Sequence, residues 1–174
     1  MSHAADTLAP LPATPAAHGG PFGSGLLRAA FEDFRVTEIM NVVPEGEGEH
    51  LWLELEKTDW NTEDVALWLA KQAGIHRLSV GYSGLKDRRA VTRQWFSLHL
   101  PGKPDPDFAW PPGLVALQAR RHRRKLNRGT HRGNRFEIVL RELDADREAL
   151  ERTLHTLSER GVPNYFGEQR FGRG

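Results

Sequence analysis

Two segments near the start of the chain alternate apolar and polar residues with a period of two, the pattern of a strand with one buried face. They are "FRVTEI" (34–39) and "HLWLELEKT" (50–58), the second placing Leu51, Leu53 and Leu55 on one side. Pro44 and glycine-flanked acids lie between them, so the spacing predicts a β-hairpin. The period then lengthens. Asn61 or Thr62 can cap a helix with Glu63 and Asp64 in its first turn, a stripe of Val65, Leu69 and Ala73, and a stop at Gly74. "LSVGY" (78–82) and "TRQWFSLHL" (92–100) read as strands joined by the loop "SGLKDRRA" (83–90). Beyond a Pro-rich connector, Val115 to Ala119 form a short strand and "RFEIVLREL" (135–143) another, with Phe136, Ile138 and Leu140 on one face. A last helix starts from Asp144 or Asp146, carries Leu150, Leu154 and Leu157, and ends at Gly161. Strands outnumber helices, which predicts an α+β fold with helices packed on a mixed, largely antiparallel sheet.

Composition narrows the setting. At 174 residues the chain is long enough for one domain with a sizeable core. No apolar run approaches the roughly 20 residues of a membrane span. The chain has no cysteine, which excludes disulfides, a thiolate nucleophile and cysteine-held metal, and a cytoplasmic location is the default expectation. Residues 1–24 are rich in Ala, Pro and Gly and contain no Lys or Arg, unlike a signal or transit peptide. They are expected to form a disordered arm, because so few large apolar side chains cannot offset the entropy of ordering it.

The net charge of +1 conceals an asymmetry that changes the picture further. The stretch "RRHRRKLNRGTHRGNR" (120–135) holds eight of the 24 Lys and Arg residues and no acid, so the rest of the chain carries 16 bases against 23 acids. Concentrated positive charge of this kind is favoured by polyanionic phosphate. Arg120, Arg121, Arg123, Arg124, Lys125, Arg128 and Arg132 are therefore candidate contacts to an RNA backbone. The plainer alternative is a solvated basic surface balanced by the acidic remainder.

Several chemistries fail on spacing. "GYSGLK" has neither the glycine spacing of a phosphate loop nor the second glycine of a serine elbow. The eight histidines form no HExxH pair, and no metal site is expected. "FGRG" lacks the strand and helix of a dinucleotide site. Asp87 remains, flanked by Lys86, Arg88 and Arg89. Cations around a carboxylate favour its charged form, which suits a nucleophile or base better than an acid. The same pattern also fits a turn aspartate held in surface ion pairs.

The motif "GLKDRRAVTRQWF" resembles the signature of the TruD family of tRNA pseudouridine synthases, as do "EDFRVTEI", "PEGEGEHL", "HRRKL", "RGNRFEIVLRE" and "GVPNYFGEQRFG". The resemblance runs from about Gly25 to the end in the family's order, and implies that residues 25–174 are the N-terminal part of a pseudouridine synthase catalytic domain. It implies isomerisation of a uridine in tRNA, position 13 in the family, with Asp87 as the catalytic nucleophile and with no cofactor. Phe34, Asn134 and Phe136 would line the substrate pocket with Lys86 beside them, and Phe136 would stack on the uracil. Read from its own surroundings alone, Phe34 is a core residue. Family members are longer and expected to be monomers; an incomplete catalytic sheet would expose an edge and an apolar face that invite self-association. A non-catalytic RNA-binding or RNA-folding module using the same basic surface is the alternative reading.

Overall fold

In the computed structural model, which describes residues 18–19 and 21–163, the chain runs β1 (Gly23–Leu27), β2 (Phe34–Met40), β3 (His50–Thr58), α1 (Thr62–Gln72), β4 (Val80–Tyr82), β5 (Val91–His99), β6 (Leu114–His122), β7 (His131–Ile138), β8 (Leu140–Ala145) and α2 (Arg147–Arg160). Most of the expected N-terminal arm, and the C-terminal "NYFGEQRFGRG", lie outside the described residues. Two units are distinguished. Residues 25–142 form the larger; the smaller draws on the described residues before 25 and after 142. In the smaller unit, Asp146 caps α2 by accepting a hydrogen bond from the Ala149 amide at 3.1 Å, and Gly161 ends it at φ 73°.

The larger unit is built on a six-stranded sheet of order β6-β3-β5-β2-β7, with β4 also paired to β5, while β1 pairs with β8 in a separate two-stranded sheet. Among the six strands only the β2–β5 pairing is parallel. The fold is thus α+β with a mixed, mostly antiparallel sheet. The hairpin expected from β2 and β3 does not form, because β5 lies between them. Strand β5 matches β3 along its whole length, from His50 opposite His99 to Thr58 opposite Val91. Turn residues report that the chain reverses; they do not specify which strand becomes the neighbour.

Alternation places the core. Leu51, Leu53 and Leu55 of β3 meet Phe96 and Leu98 of β5, and Val65 and Leu69 of α1 close over them. Fully burying each such side chain contributes roughly 1.5–3 kcal/mol. The opposite face is buried as well, since Trp52 and Trp95 pack with Leu126 from the basic run. That run is only partly a loop: β6 continues through Arg120 and Arg121 to His122, and β7 begins at His131. The expected single strand over 135–143 is broken at Val139, whose amide instead donates to the Asp33 carbonyl at 2.8 Å.

Candidate active site

Helix α1 packs on the part of the sheet face formed by β3, β4 and β5. Toward the β2–β7 side, the register sets Asn134 opposite Glu38, Phe136 opposite Val36 and Ile138 opposite Phe34. Phe34 is 8% exposed and Phe136 55%, and their rings meet edge to face at 6.0 Å between centroids. Phe34 thus forms a floor and Phe136 an open aromatic surface beside it. The buried carboxamide oxygen of Asn134, two residues before Phe136 on the same strand face, makes no hydrogen bond among the described residues. It has hydrogen-bonding capacity to spare.

Asp87 stands in the β4–β5 loop with its side chain 49% exposed. The Arg28 guanidinium lies 3.8 Å from the centre of the Phe34 ring and donates to the Asp87 carboxylate at 3.0 Å. A single arginine therefore ties the carboxylate to the aromatic floor, through a cation–π contact on one side and a charge-assisted hydrogen bond on the other. The cations next to Asp87 in sequence are occupied elsewhere. Lys86 turns inward to the fully buried Glu38 at 2.8 Å, and Arg88 pairs with Asp59 at 2.8 Å. Lys86 is thus buried, with its ammonium held by Glu38, the residue opposite Asn134 in the β2–β7 register.

The loop is held at nearly every residue. His131 bonds the Ser83 hydroxyl, and Gln94 donates to the Gly84 carbonyl. The Thr62 hydroxyl accepts from the Lys86 amide at 3.0 Å and donates to Gln94 at 2.9 Å. Lys57, 1% exposed, donates to the carbonyls of Trp60 at 2.7 Å and Asp87 at 2.9 Å, with a longer contact of 3.4 Å to that of Lys86. Burial pushes the Lys57 amine down to about 8 from 10.5, the nearby Asp87 charge partly opposing this and Lys86 adding to it. A cavity of about 260 Å³ opens beside Asp87, lined by Asn61, Thr62, Glu63, Leu85 and Lys86.

Phe34 is anchored from its N-terminal side. Asp33 is buried, accepts from the Ala30 amide at 2.9 Å, and is gripped by the Arg141 guanidinium through both carboxylate oxygens. The hydrogen bond from Arg141 is the main cause holding its carboxyl below the usual range, with the Ala30 amide adding to it. Sequence reasoning passed over Arg28, Glu38, Lys57 and Arg141. Lys57 carried a detectable signal, a lysine inside an alternating strand, on the same face as Leu51, Leu53 and Leu55.

The basic run docks on the root of the same loop. Trp52 donates to the Arg124 carbonyl at 2.8 Å, Ser97 accepts from the Leu126 amide at 2.9 Å, and the Gly129 amide donates to the Ser83 carbonyl at 2.8 Å. A side chain at Gly81 would collide with the Leu126 carbonyl, so this approach requires glycine. Arg121 is bound to Asp105, Arg123 to Glu45 and Glu47, and Lys125 to the Leu78 carbonyl. Arg120, Arg124, Arg128 and Arg132 are exposed and make no ion pair among the described residues. No helix among those residues is long and apolar enough to cross a membrane, and no three His, Asp or Glu side chains gather as a metal site would require.

Comparison with known proteins adds an independent line. A family model described as tRNA pseudouridine synthase D (TruD) matches residues 18–174. The chain is 54% identical over 160 residues to the tRNA pseudouridine synthase D of Ectopseudomonas mendocina (strain ymp), covering 91% of this chain and 46% of that protein. It is 54% identical over 162 residues to that of Pseudomonas putida (strain W619), again covering 46% of the relative. A crystal structure described as tRNA pseudouridine synthase D from Methanosarcina mazei superposes with a TM-score of 0.72 at 33% identity, covering 87% of this chain and 36% of that one. The chain thus spans slightly under half the length of the curated relatives it matches.

Proposed function

Because this chain belongs to the tRNA pseudouridine synthase D (TruD) family, we propose that it supplies the nucleophile and base-binding surface of an enzyme that isomerises a uridine in tRNA, at position 13 by family resemblance, to pseudouridine. The observation that carries this reading is the Asp87–Arg28–Phe34 arrangement beside the exposed ring of Phe136. The reaction breaks the C1′–N1 bond, turns the uracil and joins C1′ to C5; C5 loses a proton and N1 gains one, so composition is unchanged. Asp87 is the group for that chemistry, whether its carboxylate attacks C1′, adds to uracil C6 or takes up a proton. Arg28 orients it, and Phe136 stacks on the detached base during its rotation. The unused carboxamide oxygen of Asn134 accepts a hydrogen bond from the uracil edge. Phosphates of the tRNA are held by the exposed arginines of the basic run, whose backbone is fixed to the loop bearing Asp87.

The test is Asp87→Asn in the protein extended to the length of its relatives. Size and most hydrogen bonding are kept, so tRNA affinity should stay within a few-fold while pseudouridine formation, followed by tritium release from 5-tritiated uridine, is lost. Retained turnover removes Asp87 from the mechanism. A wild-type protein that binds tRNA without turning it over favours the RNA-folding module instead.

A further inference from the structure

Lys57 is among the largest fully buried side chains of the described residues. Its ammonium has no carboxylate partner within ion-pairing distance among the described residues, and its acceptors are backbone carbonyls: Trp60 at the start of α1's approach, and Asp87 and Lys86 in the β4–β5 loop. A buried cation bonded to neutral carbonyls is a costly arrangement, and the depressed basicity of the amine reflects that cost. An apolar side chain would suit the neighbouring leucines of β3 better. What the ammonium supplies is direction: its donors reach the peptide carbonyls on both sides of the Asp87 Cα from β3, an interior strand of the sheet.

We propose that Lys57 is a positioning residue for Asp87, fixing the main chain that carries the carboxylate while Arg28 fixes the carboxylate itself. The inference rests on the reading of Asp87 as the reacting group. Two anchors are needed because they restrain different freedoms. Arg28 acts on a half-exposed side chain through one carboxylate oxygen, whereas Lys57 acts on the main chain through a buried ammonium. A displacement of about 1 Å in such a group costs roughly a hundredfold in rate.

The experiment compares wild type, Lys57→Met and Lys57→Cys. Because the 174-residue chain contains no cysteine, Lys57→Cys can be alkylated uniquely in the unfolded chain with bromoethylamine and refolded, restoring an ammonium at almost the original length. Amide hydrogen exchange in the 174-residue chain should rise at least tenfold over residues 84–90 in Lys57→Met, while the core of β3 and β5 keeps its protection; aminoethylation should restore the loop. In the protein of family length, with any other cysteine replaced by serine, kcat should fall about a hundredfold with KM within threefold, again recovered by aminoethylation. Unchanged exchange over 84–90, or an equal rise throughout the sheet, overturns the proposal. The exchange measurement needs no turnover, so its outcome is separable from that of Asp87→Asn.

Discussion

A buried amine at Lys57 leaves a thermodynamic signature whose sign can be worked out. Its pKa falls from 10.5 to about 8 in the folded protein, so the native state binds the proton less tightly than the unfolded state does. Below pH 8 both states carry the charge and the folded state bears the full cost of burying it. Between pH 8 and 10.5 the folded state releases its proton first, and stability rises with pH. Urea unfolding of wild type and Lys57→Met at pH 7.5 and 10 isolates this effect, because other titrations cancel in the difference. Wild type should gain about 2 kcal/mol relative to the variant over that interval; no gain would mean that water reaches the amine. Residues of this kind are poorly legible in sequence. Asp87 stands out through its charged neighbours, but the groups it meets are Arg28, 59 positions earlier, and the Lys57 ammonium below its carbonyl. Local charge density draws attention to a site without identifying its partners.

At the scale of elements, the basic run divides into cations paired within the fold and exposed cations that make no ion pair among the described residues. Arg121 braces the Pro-rich connector through Asp105 and the Lys103 carbonyl, and Arg123 closes onto Glu45 and Glu47 of the β2–β3 connection. Arg124, Arg128 and Arg132 are exposed. Replacing these three with Gln should reduce the slope of log affinity against log salt by about 2–3 for tRNA, at roughly 0.7–0.9 for each phosphate that is no longer neutralised. Arg121→Gln with Arg123→Gln should leave that slope nearly unchanged while lowering thermal stability. Fluorescence anisotropy across a salt series measures both slopes, and equal slopes in the two variants would refute the division. The sequence pattern located the run and its charge but not this partition, since the neutralising acids lie far along the chain. It likewise identified β2 and β3 as strands from their alternation while misassigning their pairing, because β5 fits β3 over nine residues and a turn carries no record of that fit.

For the whole molecule, the question is what a sheet ending in β7 does at its outer edge. Among the described residues, strand β7 has β2 on one side and no strand on the other, and it carries Phe136, Ile138 and, just beyond, Leu140 at about half exposure each. An unpaired edge next to exposed apolar side chains is a template for another strand. The matched relatives are more than twice as long as the segment they share with this chain, and we expect their further residues to cover this edge. The 174-residue chain should therefore associate with itself as concentration rises, and light scattering coupled to size exclusion measures this directly. Ile138→Lys places a charge on the apolar face at the edge and should return the chain to a monomer, as charged residues protect natural edge strands. Asp87 and the exposed arginines are untouched by that change, so tRNA binding should persist with its salt dependence intact. A wild-type chain that stays monomeric throughout the series would show that the edge is already protected, and an Ile138→Lys variant that still associates would move the self-association surface away from β7.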